Sequence, residues 1–394
     1  MIKSTKVKII LKNTIFPFFT IINKLIPKRD DYILLHSPNL GIQFNLIPLR
    51  LYLQEHEYYK NNKIICGIEN KKYAEDGFDV TYVTYIKSIL YFLRSRHVFY
   101  TTGVIPIKPS KKQIVIHLDH GTATFKTGGL LSKIHNGNEF YFTYYTAPSE
   151  YYIPIIKKTF KCGEENIVIN GEPVNDMLLT PAEKYDLGDY KHIGIWMPTF
   201  RQSDYLGYSD SNEQLLPMFM PEDYEELNKV LKKYNIKLYV KLHSMQNIDK
   251  SNNFNFSNLT ILSEAEMSLC GFKLYPLIQQ MDFMIADYSS AFLQYLLLDR
   301  PVAFVVPDFD EYRSKRGFVF ENPKDFMPGP FITKRQELYD FFSNIYHSLD
   351  DYKEKRQKVC SIIHKYKDAN NCKRVIDLSE IKNSKMRCKN RKNK

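Results

Sequence analysis

The sequence has a single tryptophan, and its six cysteines lie far apart, without a CxxC pair or a Cys/His cluster at zinc-ligand spacing. Isolated cysteines of this kind indicate a reducing compartment in which most thiols are buried. The Walker A, GxGxxG and GxSxG motifs are also absent. The chain therefore lacks the usual signatures of P-loop nucleotide hydrolases, dinucleotide-dependent dehydrogenases and serine hydrolases.

No apolar run is long enough to cross a membrane. The longest candidate, residues 14–27, is interrupted by Pro17, Asn23 and Lys24, whereas a spanning helix needs about 20 apolar residues. Its apolar part is followed by Pro27, Lys28 and Arg29 in place of the small residues of a signal-peptide cleavage site. Apolar residues among lysines favour an amphipathic segment in the membrane interface, and a helix packed on the protein's own core is the alternative.

Acidic residues are missing from both ends of the chain. The formal net charge is +11, yet residues 1–29 carry seven basic residues and no acid, and seven more basic residues follow Glu380. Without these ends the chain is slightly acidic. Basic ends on a near-neutral body favour an anionic membrane surface over an enveloping nucleic-acid site, and a solvated, disordered tail is equally open for residues 382–394.

The middle of the chain alternates strand-like and helix-like segments, which predicts parallel sheets covered by helices on both faces. We predict two Rossmann-like domains with a cleft between them, an α/β arrangement of the GT-B type. The predicted divisions are a basic amphipathic membrane-associating segment (1–30), an N-terminal acceptor domain (31–178), a C-terminal nucleotide-donor domain (179–380) and a basic tail (381–394). The predicted strands are 32–37, 63–68, 80–85, 97–102, 113–118, 192–197, 236–243, 259–263, 283–286 and 301–306, and the predicted helices are 47–62, 87–95, 221–234, 274–281 and 289–298.

Four polar clusters follow predicted strands, where open α/β sheets bind their ligands. They are Asp-His-Gly-Thr (119–122), Pro-Thr-Phe-Arg (198–201), Lys-Leu-His (241–243) and Asp-Tyr-Ser-Ser (287–290). His120 suits a general base at neutral pH, since an unperturbed imidazole titrates near pH 6.5. Asp119 or another carboxylate could orient its ring, and Gly121 gives a ligand room to approach.

The other three clusters suit a diphosphate. Ser289 and Ser290 begin a predicted helix, where backbone N–H groups and hydroxyls can bind an anion. Arg201 can clamp phosphate oxygens, and Lys241 and His243 point to the same face. Each residue also has an ordinary structural explanation: an N-cap for the serines, a surface position for the arginine, and a structural hydrogen bond for the histidine.

One DxD sequence, Asp308-Phe309-Asp310, could hold a metal ion in an enzyme that uses a nucleotide sugar. We interpret it instead as a turn that positions Tyr312 and Arg313. No metal site is predicted.

Taken in order, these clusters resemble the CDP-glycerol glycerophosphotransferase family, which includes the teichoic-acid and capsule polyol-phosphate transferases. The most specific block is 299–330, with Asp-x-Asp-Glu-Tyr, then Arg316-Gly317, then Pro-Gly. The segments "GEPVND" (171–176) and "HKYKDANNCKRVID" (364–377) also look like family elements, the second its closing helix. The resemblance covers roughly residues 110–380.

The resemblance implies a GT-B fold and transfer of glycerol phosphate, or ribitol phosphate, from a CDP-alcohol to a hydroxyl of a cell-surface glycan or polymer, releasing CMP. It implies His120 and His243 as catalytic residues. The substrate-binding residues that it implies are Gly121, Thr122, Thr199, Arg201, Lys241, Asp287, Ser289, Ser290, Gln294 and Arg316. Gln294 stands where the family usually has an acid, which leaves the donor polyol open.

The expected partners are a CDP-alcohol donor, an acceptor on a lipid carrier and a membrane surface, without nucleic acid. We expect no tightly bound cofactor, and a divalent cation is compatible with this chemistry. The expected location is the cytoplasmic face of the plasma membrane, in peripheral association. Two alternatives stay open: a GT-B glycosyltransferase that uses a nucleotide sugar, and a non-catalytic protein that binds membranes or nucleic acid.

Overall fold

The computed structural model describes residues 5–37, 41–101, 105–120, 140–199, 202–203, 208–209, 215–242, 256–315 and 317–382. Their contacts divide the described chain into two compact units. Unit 1 contains the residues up to 120, residues 140–176 and the residues from Lys365 onward, and unit 2 contains Met177–His364. Each unit is built around a parallel sheet, which confirms the predicted α/β class.

Unit 1 contains a seven-stranded parallel sheet in the order β3-β2-β1-β4-β5-β6-β7. Its strands are β1 (Arg29–His36), β2 (Lys63–Ile68), β3 (Thr81–Thr84), β4 (Ser95–Tyr100), β5 (Ile114–His117), β6 (Tyr144–Ala147) and β7 (Ile167–Ile169). The helices up to this point of the chain are α1 (Thr5–Leu25), α2 (Leu46–Glu55), α3 (Tyr85–Arg94), α4 (Ile153–Phe160) and α5 (Pro173–Leu179).

The apolar run of β1 explains its central place in this sheet. Ile33 and Leu35 point into a core cluster with α2, whereas Leu34 joins a different cluster with α3 on the other face. All three side chains are fully buried. A strand buried on both faces is continuously apolar rather than alternating, as the segment Tyr-Ile-Leu-Leu is.

Unit 2 contains a six-stranded parallel sheet in the order β12-β11-β8-β13-β14-β15, and a two-stranded antiparallel pair, β9-β10. The strands are β8 (His192–Trp196), β9 (Gln202–Ser203), β10 (Tyr208–Ser209), β11 (Ile236–Lys241), β12 (Leu259–Leu262), β13 (Phe283–Ala286), β14 (Val302–Val305) and β15 (Phe331–Ile332). The helices are α6 (Tyr224–Lys233), α7 (Glu264–Leu269), α8 (Leu274–Ile278), α9 (Ala291–Tyr295), α10 (Phe309–Lys315), α11 (Arg335–Tyr346) and α12 (Lys353–Ile363).

A glycine brings the two central strands of unit 2 together. A Cβ atom on Gly194 would lie 2.2 Å from the ring of Phe283, which faces it from the neighbouring strand β13. The ring therefore occupies the space of the missing side chain. This packing fixes β8 beside β13, and the ends of these two strands carry most of the predicted donor site.

After α12 the chain returns to unit 1 as the last described helix, α13 (Asn371–Leu378). The carboxylate of Asp176 accepts hydrogen bonds from the backbone N–H of Asn371 (3.0 Å) and of Cys372 (2.7 Å) at its first turn. Val375 and Ile376 of this helix join the core beside α2. The structure thus differs from the predicted division, which placed residues 365–380 in the C-terminal domain, because these long-range contacts cannot be inferred from local patterns.

Several element bounds also differ from the predictions. The predicted helix 47–62 ends at Glu55, and a separate 3-10 turn, Tyr58–Lys60, follows it. The predicted helix 289–298 is shorter, because α9 gives way to a 3-10 turn at Leu296–Leu298. Strands β6 and β7 were not predicted.

The apolar N-terminal segment forms the helix α1, with Pro17 inside it. Phe16, Phe19 and Ile22 pack against the core beside α3, so the predicted alternative of packing on the protein's own core applies to one face of the helix. Within the described part of the chain, no helix is both long and apolar enough to span a membrane.

Candidate active site

The predicted catalytic histidine follows β5 in unit 1, and its side chain is about half exposed. The Oδ1 atom of Asp119 lies 2.5 Å from Nδ1 of His120 and also accepts the backbone N–H of His120 at 2.7 Å. The edge of the Phe44 ring packs against the imidazole, with 5.8 Å between ring centroids. Because Nδ1 faces the carboxylate, Nε2 is the ring nitrogen suited to exchange a proton with a substrate.

Asp119 is held in place from several sides. Its backbone has a left-handed φ of 56°, which places the buried carboxylate beside the following residue. Oδ2 accepts the hydroxyl of Tyr145, and the backbone N–H of Asp119 donates to Nδ1 of His117 (3.1 Å). Burial alone would raise the pKa of Asp119, but the charge and hydrogen bond of His120, with the hydroxyl of Tyr145, hold that pKa at about 2. The carboxylate is therefore ionised at neutral pH.

Aromatic side chains pack around His117 and Tyr145, two residues that contact Asp119. The ring of Tyr145 stacks on His117 with 4.7 Å between centroids, and Tyr100 and Phe160 pack against the same imidazole. Burial lowers the pKa of His117 to about 4, so this ring is neutral. Tyr145 was not among the predicted site residues, because 26 residues separate it from Asp119 and no motif joins them.

A buried asparagine connects the end of β5 to two other elements. Asn45, just before α2, donates from Nδ2 to the carbonyl oxygen of Leu118 (2.8 Å) and to that of Asp119 (3.3 Å). Its Oδ1 accepts the backbone N–H of Val174 at 2.9 Å, at the start of α5. The "GEPVND" segment therefore helps to support the backbone that carries the histidine.

In unit 2, Asp287 organises the ends of the two central strands. Its Oδ2 accepts the backbone N–H of Thr199 (2.8 Å), and its Oδ1 accepts the Thr199 hydroxyl (2.5 Å). Oδ1 also accepts the backbone N–H groups of Tyr288 (2.5 Å) and Ser289 (3.2 Å). The carboxylate is fully buried. These contacts give Asp287 and Thr199 an internal role, and their predicted contact with the substrate stays a prediction.

The two serines that follow lie at the same edge and are half-buried. Ser290 is the N-cap residue of α9, yet its side chain makes no capping hydrogen bond. The structural alternative of a side-chain N-cap therefore does not apply to Ser290, and its hydroxyl can serve a ligand. Since α9 has only five residues, its helix dipole is small, and an anion here would be bound mainly by the serine hydroxyls.

Gln294 lies within α9 and is 6% exposed. Its Nε2 atom is buried and has no hydrogen-bond partner in the structure. An unpaired amide donor is energetically costly unless a ligand or water accepts from it. This observation favours the predicted contact between Gln294 and a donor hydroxyl.

Lys241, at the end of β11, is 5% exposed and held internally. Its ammonium group donates to the carbonyl oxygen of Leu242 (2.7 Å) and to Oε1 of Glu264 (2.9 Å). Lys241 was predicted to face the substrate together with His243, and Glu264 was not among the predicted residues. The predicted phosphate contact of Lys241 stays a prediction.

The DxD segment begins α10, and its first carboxylate accepts the hydroxyl of Tyr288 at 2.9 Å. Tyr288 also stacks on Tyr312, with 3.8 Å between centroids. Asp308 thus positions the aromatic pair behind the serines. Among the described residues, no group of three or more His, Cys, Asp and Glu side chains could hold a metal ion.

Five predicted site residues lie outside the described residues, so their roles stay predictions. They are Gly121, Thr122, Arg201, His243 and Arg316.

Comparisons with known proteins identify the family. The family model for CDP-Glycerol:Poly(glycerophosphate) glycerophosphotransferase matches residues 18–380. The teichoic acid ribitol-phosphate polymerase TarK of Staphylococcus aureus (strain NCTC 8325 / PS 47) is 24% identical over 385 residues, covering 91% of this chain and 70% of that protein. A teichoic acid poly(glycerol phosphate) polymerase of Bacillus spizizenii (strain ATCC 23059 / NRRL B-14472 / W23) is 24% identical over 366 residues, covering 84% and 86%.

Among solved structures, that of the wall teichoic acid polymerase TagF matches with a TM-score of 0.73 and 19% identity, covering 95% of this chain and 94% of that chain. This match confirms the predicted GT-B-like fold. The sequence resemblance is likewise confirmed, because the family model matches most of the chain. The chain belongs to the CDP-glycerol:poly(glycerophosphate) glycerophosphotransferase family and is a transferase that moves a polyol phosphate from a CDP-alcohol to a polymer acceptor.

Proposed function

We propose that the enzyme transfers glycerol phosphate from CDP-glycerol to a terminal hydroxyl of a cell-surface glycan or polyol-phosphate polymer, releasing CMP. The observation that supports the chemistry is the buried, ionised Asp119 held against Nδ1 of His120. The family description names the glycerol donor. Ribitol is the second candidate, because the ribitol-phosphate polymerase is as similar to this chain as the glycerol-phosphate polymerase, at 24% identity.

In this mechanism His120 acts as the general base. Nε2 takes the proton of the acceptor hydroxyl while its oxygen attacks the phosphorus atom that carries glycerol. A new P–O bond forms, the bond to the bridging oxygen of the diphosphate breaks, and CMP leaves with the electron pair. The anion of Asp119 stabilises the imidazolium that results. The proton then passes to solvent or to the departing phosphate.

Unit 2 would stabilise the charge on the leaving CMP. Hydroxyl donors at Ser289 and Ser290 suit the non-bridging oxygens, and the predicted cations Arg201 and His243 would add positive charge. Donors directed at developing charge are the main catalytic contribution expected for phosphoryl transfer. Asp287 acts indirectly here, by fixing the backbone that carries the serines.

The test is a donor panel with a soluble polyol-phosphate primer. We expect CMP release and primer extension with CDP-glycerol, or with CDP-ribitol if the donor polyol differs, and none with nucleotide sugars. Turnover with nucleotide sugars alone would instead establish a GT-B glycosyltransferase. If the protein binds a CDP-alcohol but turns over no donor under any of these conditions, the alternative of a non-catalytic binding protein is supported.

We also propose that the protein lies peripherally on the cytoplasmic face of the plasma membrane, where a lipid-borne acceptor would be presented. The support is the outer face of α1, where Phe18 and Leu25 are 61% and 77% exposed while Phe19 packs on the core. Ile86 and Leu90, on the neighbouring helix α3, are 75% and 58% exposed. Exposed apolar side chains on adjacent helices, beside basic residues, suit an anionic lipid interface.

Co-sedimentation with anionic vesicles tests this surface. We expect a Phe18→Ser, Leu25→Ser variant to lose most of its vesicle binding, because both side chains are exposed and their removal leaves the core intact. Leu269→Ser is the matched control, since Leu269 is 87% exposed but lies in unit 2. Equal binding by the double variant and the wild-type protein would exclude α1 as the membrane contact.

A further inference from the structure

The strand order of unit 1 marks a second place where a ligand can bind. From β1 the chain continues outward to β2 and β3, and then crosses to the other side of β1 as β4. In open parallel sheets, ligands bind beside the carboxyl ends of the strands at such a reversal. In unit 1 this point lies between β1 and β4, whereas His120 follows the next strand, β5. None of the described residues at the reversal has a role in the proposed chemistry.

His36, the last residue of β1, has a defined tautomer. The hydroxyl of Ser88 donates to the carbonyl oxygen of Tyr85 at 2.6 Å, and Oγ of Ser88 lies 3.1 Å from Nδ1 of His36. A serine hydroxyl has a single hydrogen, so Nδ1 of His36 must be the donor in the second contact. Burial lowers the pKa of His36 to about 4, which keeps the ring neutral. Its Nε2 therefore presents a lone pair.

That lone pair has no partner. Nε2 of His36 is buried and makes no hydrogen bond in the structure, and the side chain is 1% exposed. Since buried polar groups nearly always have partners, the unpaired Nε2 at the end of β1 indicates a missing ligand or water.

Because Nε2 is a hydrogen-bond acceptor, it limits which ligand groups can bind to it. An acceptor lone pair needs a hydrogen-bond donor, and the phosphate oxygens of a phosphodiester carry no hydrogen at neutral pH. A hydroxyl group can donate to Nε2. The strands β1 and β5 are two strand spacings apart, roughly 10 Å, which fits a hydroxyl of the same acceptor chain some distance from its reacting end.

We propose that the carboxyl ends of β1 and β4 form a subsite for the acceptor, in which Nε2 of His36 accepts a hydrogen bond from a secondary hydroxyl of the polyol chain that does not react. This subsite rests on the proposed function, because it assumes a polyol-phosphate acceptor. It would give the enzyme a means of recognising the polyol itself, independently of the phosphate charge.

The test compares two soluble primers with a free terminal hydroxyl: an oligo(glycerol phosphate) and an oligo(1,3-propanediol phosphate), which lacks secondary hydroxyls. The wild-type enzyme should have a KM for the glycerol primer that is ten- to a hundredfold lower. His36→Asn keeps a nitrogen near the position of Nδ1 for Ser88 but removes Nε2. This variant should raise the KM for the glycerol primer to that of the propanediol primer, without changing the KM for the donor.

Two further variants separate recognition from stability. His36→Gln places an amide oxygen near the position of Nε2 and should restore part of the discrimination. His97→Asn is the matched control: His97 is a buried histidine of β4 whose nitrogens contact the carbonyl oxygens of Ser379 (2.8 Å) and Asp30 (3.2 Å). It should leave the ratio of the two KM values at the wild-type level.

The outcomes are distinguishable. If wild-type enzyme extends the glycerol primer but His36→Asn discriminates as well as wild type, a buried water occupies the position and the subsite is excluded. If wild-type enzyme uses both primers equally, the subsite is likewise excluded while the proposed function stands. If wild-type enzyme extends no primer with any CDP-alcohol, the proposed function itself fails.

Discussion

In both units the first strand is central, the next two strands of the sheet extend to one side of it, and the later strands extend to the other side. The side chains at the carboxyl ends of the central strands differ between the units. In unit 2 the reversal between β8 and β13 is filled by the hydrogen bonds of Asp287, which ties Thr199 to Ser289. In unit 1 the equivalent reversal leaves Nε2 of His36 unpaired, and the His120–Asp119 pair lies one strand away, after β5. The two sheets therefore share a strand order, and the side chains at the strand ends determine which contacts form there.

The two buried carboxylates show what this difference means. The described contacts of Asp287 are with backbone N–H groups and a hydroxyl, which its carboxylate holds at the ends of β8 and β13. Asp119 accepts a tyrosine hydroxyl and directs its other oxygen at an imidazole, so its charge can assist proton transfer. Hydrogen bonds to an ionised group are the strong ones, which lets both carboxylates remain buried. Four predictions test these differences between the two units.

Replacing the proposed base should have the largest effect. His120→Ala is expected to lower turnover by roughly 10²–10⁴-fold, the usual contribution of a general base. Donor affinity should stay near the wild-type value, because the base acts on the acceptor. Steady-state kinetics and calorimetric binding of CDP-glycerol measure the two quantities.

His347→Ala, on the exposed surface of unit 2, is the control and should behave as wild type. Retention of more than about a tenth of the turnover by His120→Ala would contradict the assignment of the base.

Changing the carboxylate of unit 2 should affect the donor. Asp287→Asn removes the charge and one acceptor position, so one of the backbone donors at Thr199 and Tyr288 loses its partner, at a cost of about 1–3 kcal/mol. We expect donor affinity to fall about tenfold to a hundredfold, measured by calorimetry.

Asp282→Asn is the matched control, because Asp282 lies at the amino end of the same strand, where Oδ2 accepts the backbone N–H of Ile193 (2.8 Å). It should reduce stability without weakening donor binding. Equal losses of donor affinity in both variants would show that Asp287 has no special role at the donor edge.

Neutralising the carboxylate of unit 1 should have a smaller effect, of about tenfold in kcat. Asp119→Asn keeps an oxygen for His120 but removes the negative charge that stabilises the imidazolium. The acidic limb of the pH–rate profile should move to lower pH, because the imidazole loses its proton more easily. A reduced kcat with an unchanged profile would indicate a purely structural role for Asp119.

Acid should weaken unit 1 before unit 2. Burial lowers the pKa of His36 and of His117 to about 4, below the ordinary value of 6.5 that they recover on unfolding. Between about pH 6.5 and pH 4 the unfolded state therefore binds more protons, so the free energy of unfolding falls as the pH falls. Each histidine contributes up to roughly 1 kcal/mol per pH unit in this window.

The single tryptophan separates the two units in this experiment. Trp196 is buried in the core of unit 2, so its fluorescence follows that unit, while circular dichroism follows both. As the pH falls from 7 to 5, the dichroism transition in urea should move to lower urea concentration than the fluorescence transition. His117→Asn should reduce this separation, and coincident transitions at every pH would contradict the prediction.

Strands with continuous apolar runs, such as β1 and β13, could be predicted from the sequence. Strand β6 was missed because its sequence, Tyr-Tyr-Thr-Ala, has no aliphatic run, and β7 was missed because it is only three residues long. The return of α13 to unit 1 was missed for a different reason. Its cap, Asp176, lies 195 residues away from Asn371 in the chain.

The same distinction applies to the candidate site. The positions of His120, Ser289 and Ser290 after strands follow from local patterns, since parallel strands end at one edge of a sheet. The partners of Asp119 and Lys241 do not follow from them: Tyr145 and Glu264 are distant in sequence.

The sequence by itself determined the parallel α/β class, the family and the order of the polar clusters, because periodicity and motif spacing are local properties of the chain. Only the tertiary structure decided which carboxylate faces an imidazole and which holds a loop, and which buried atoms lack a partner. Hydrogen bonds form between groups that folding brings together, and their distance along the chain does not limit them.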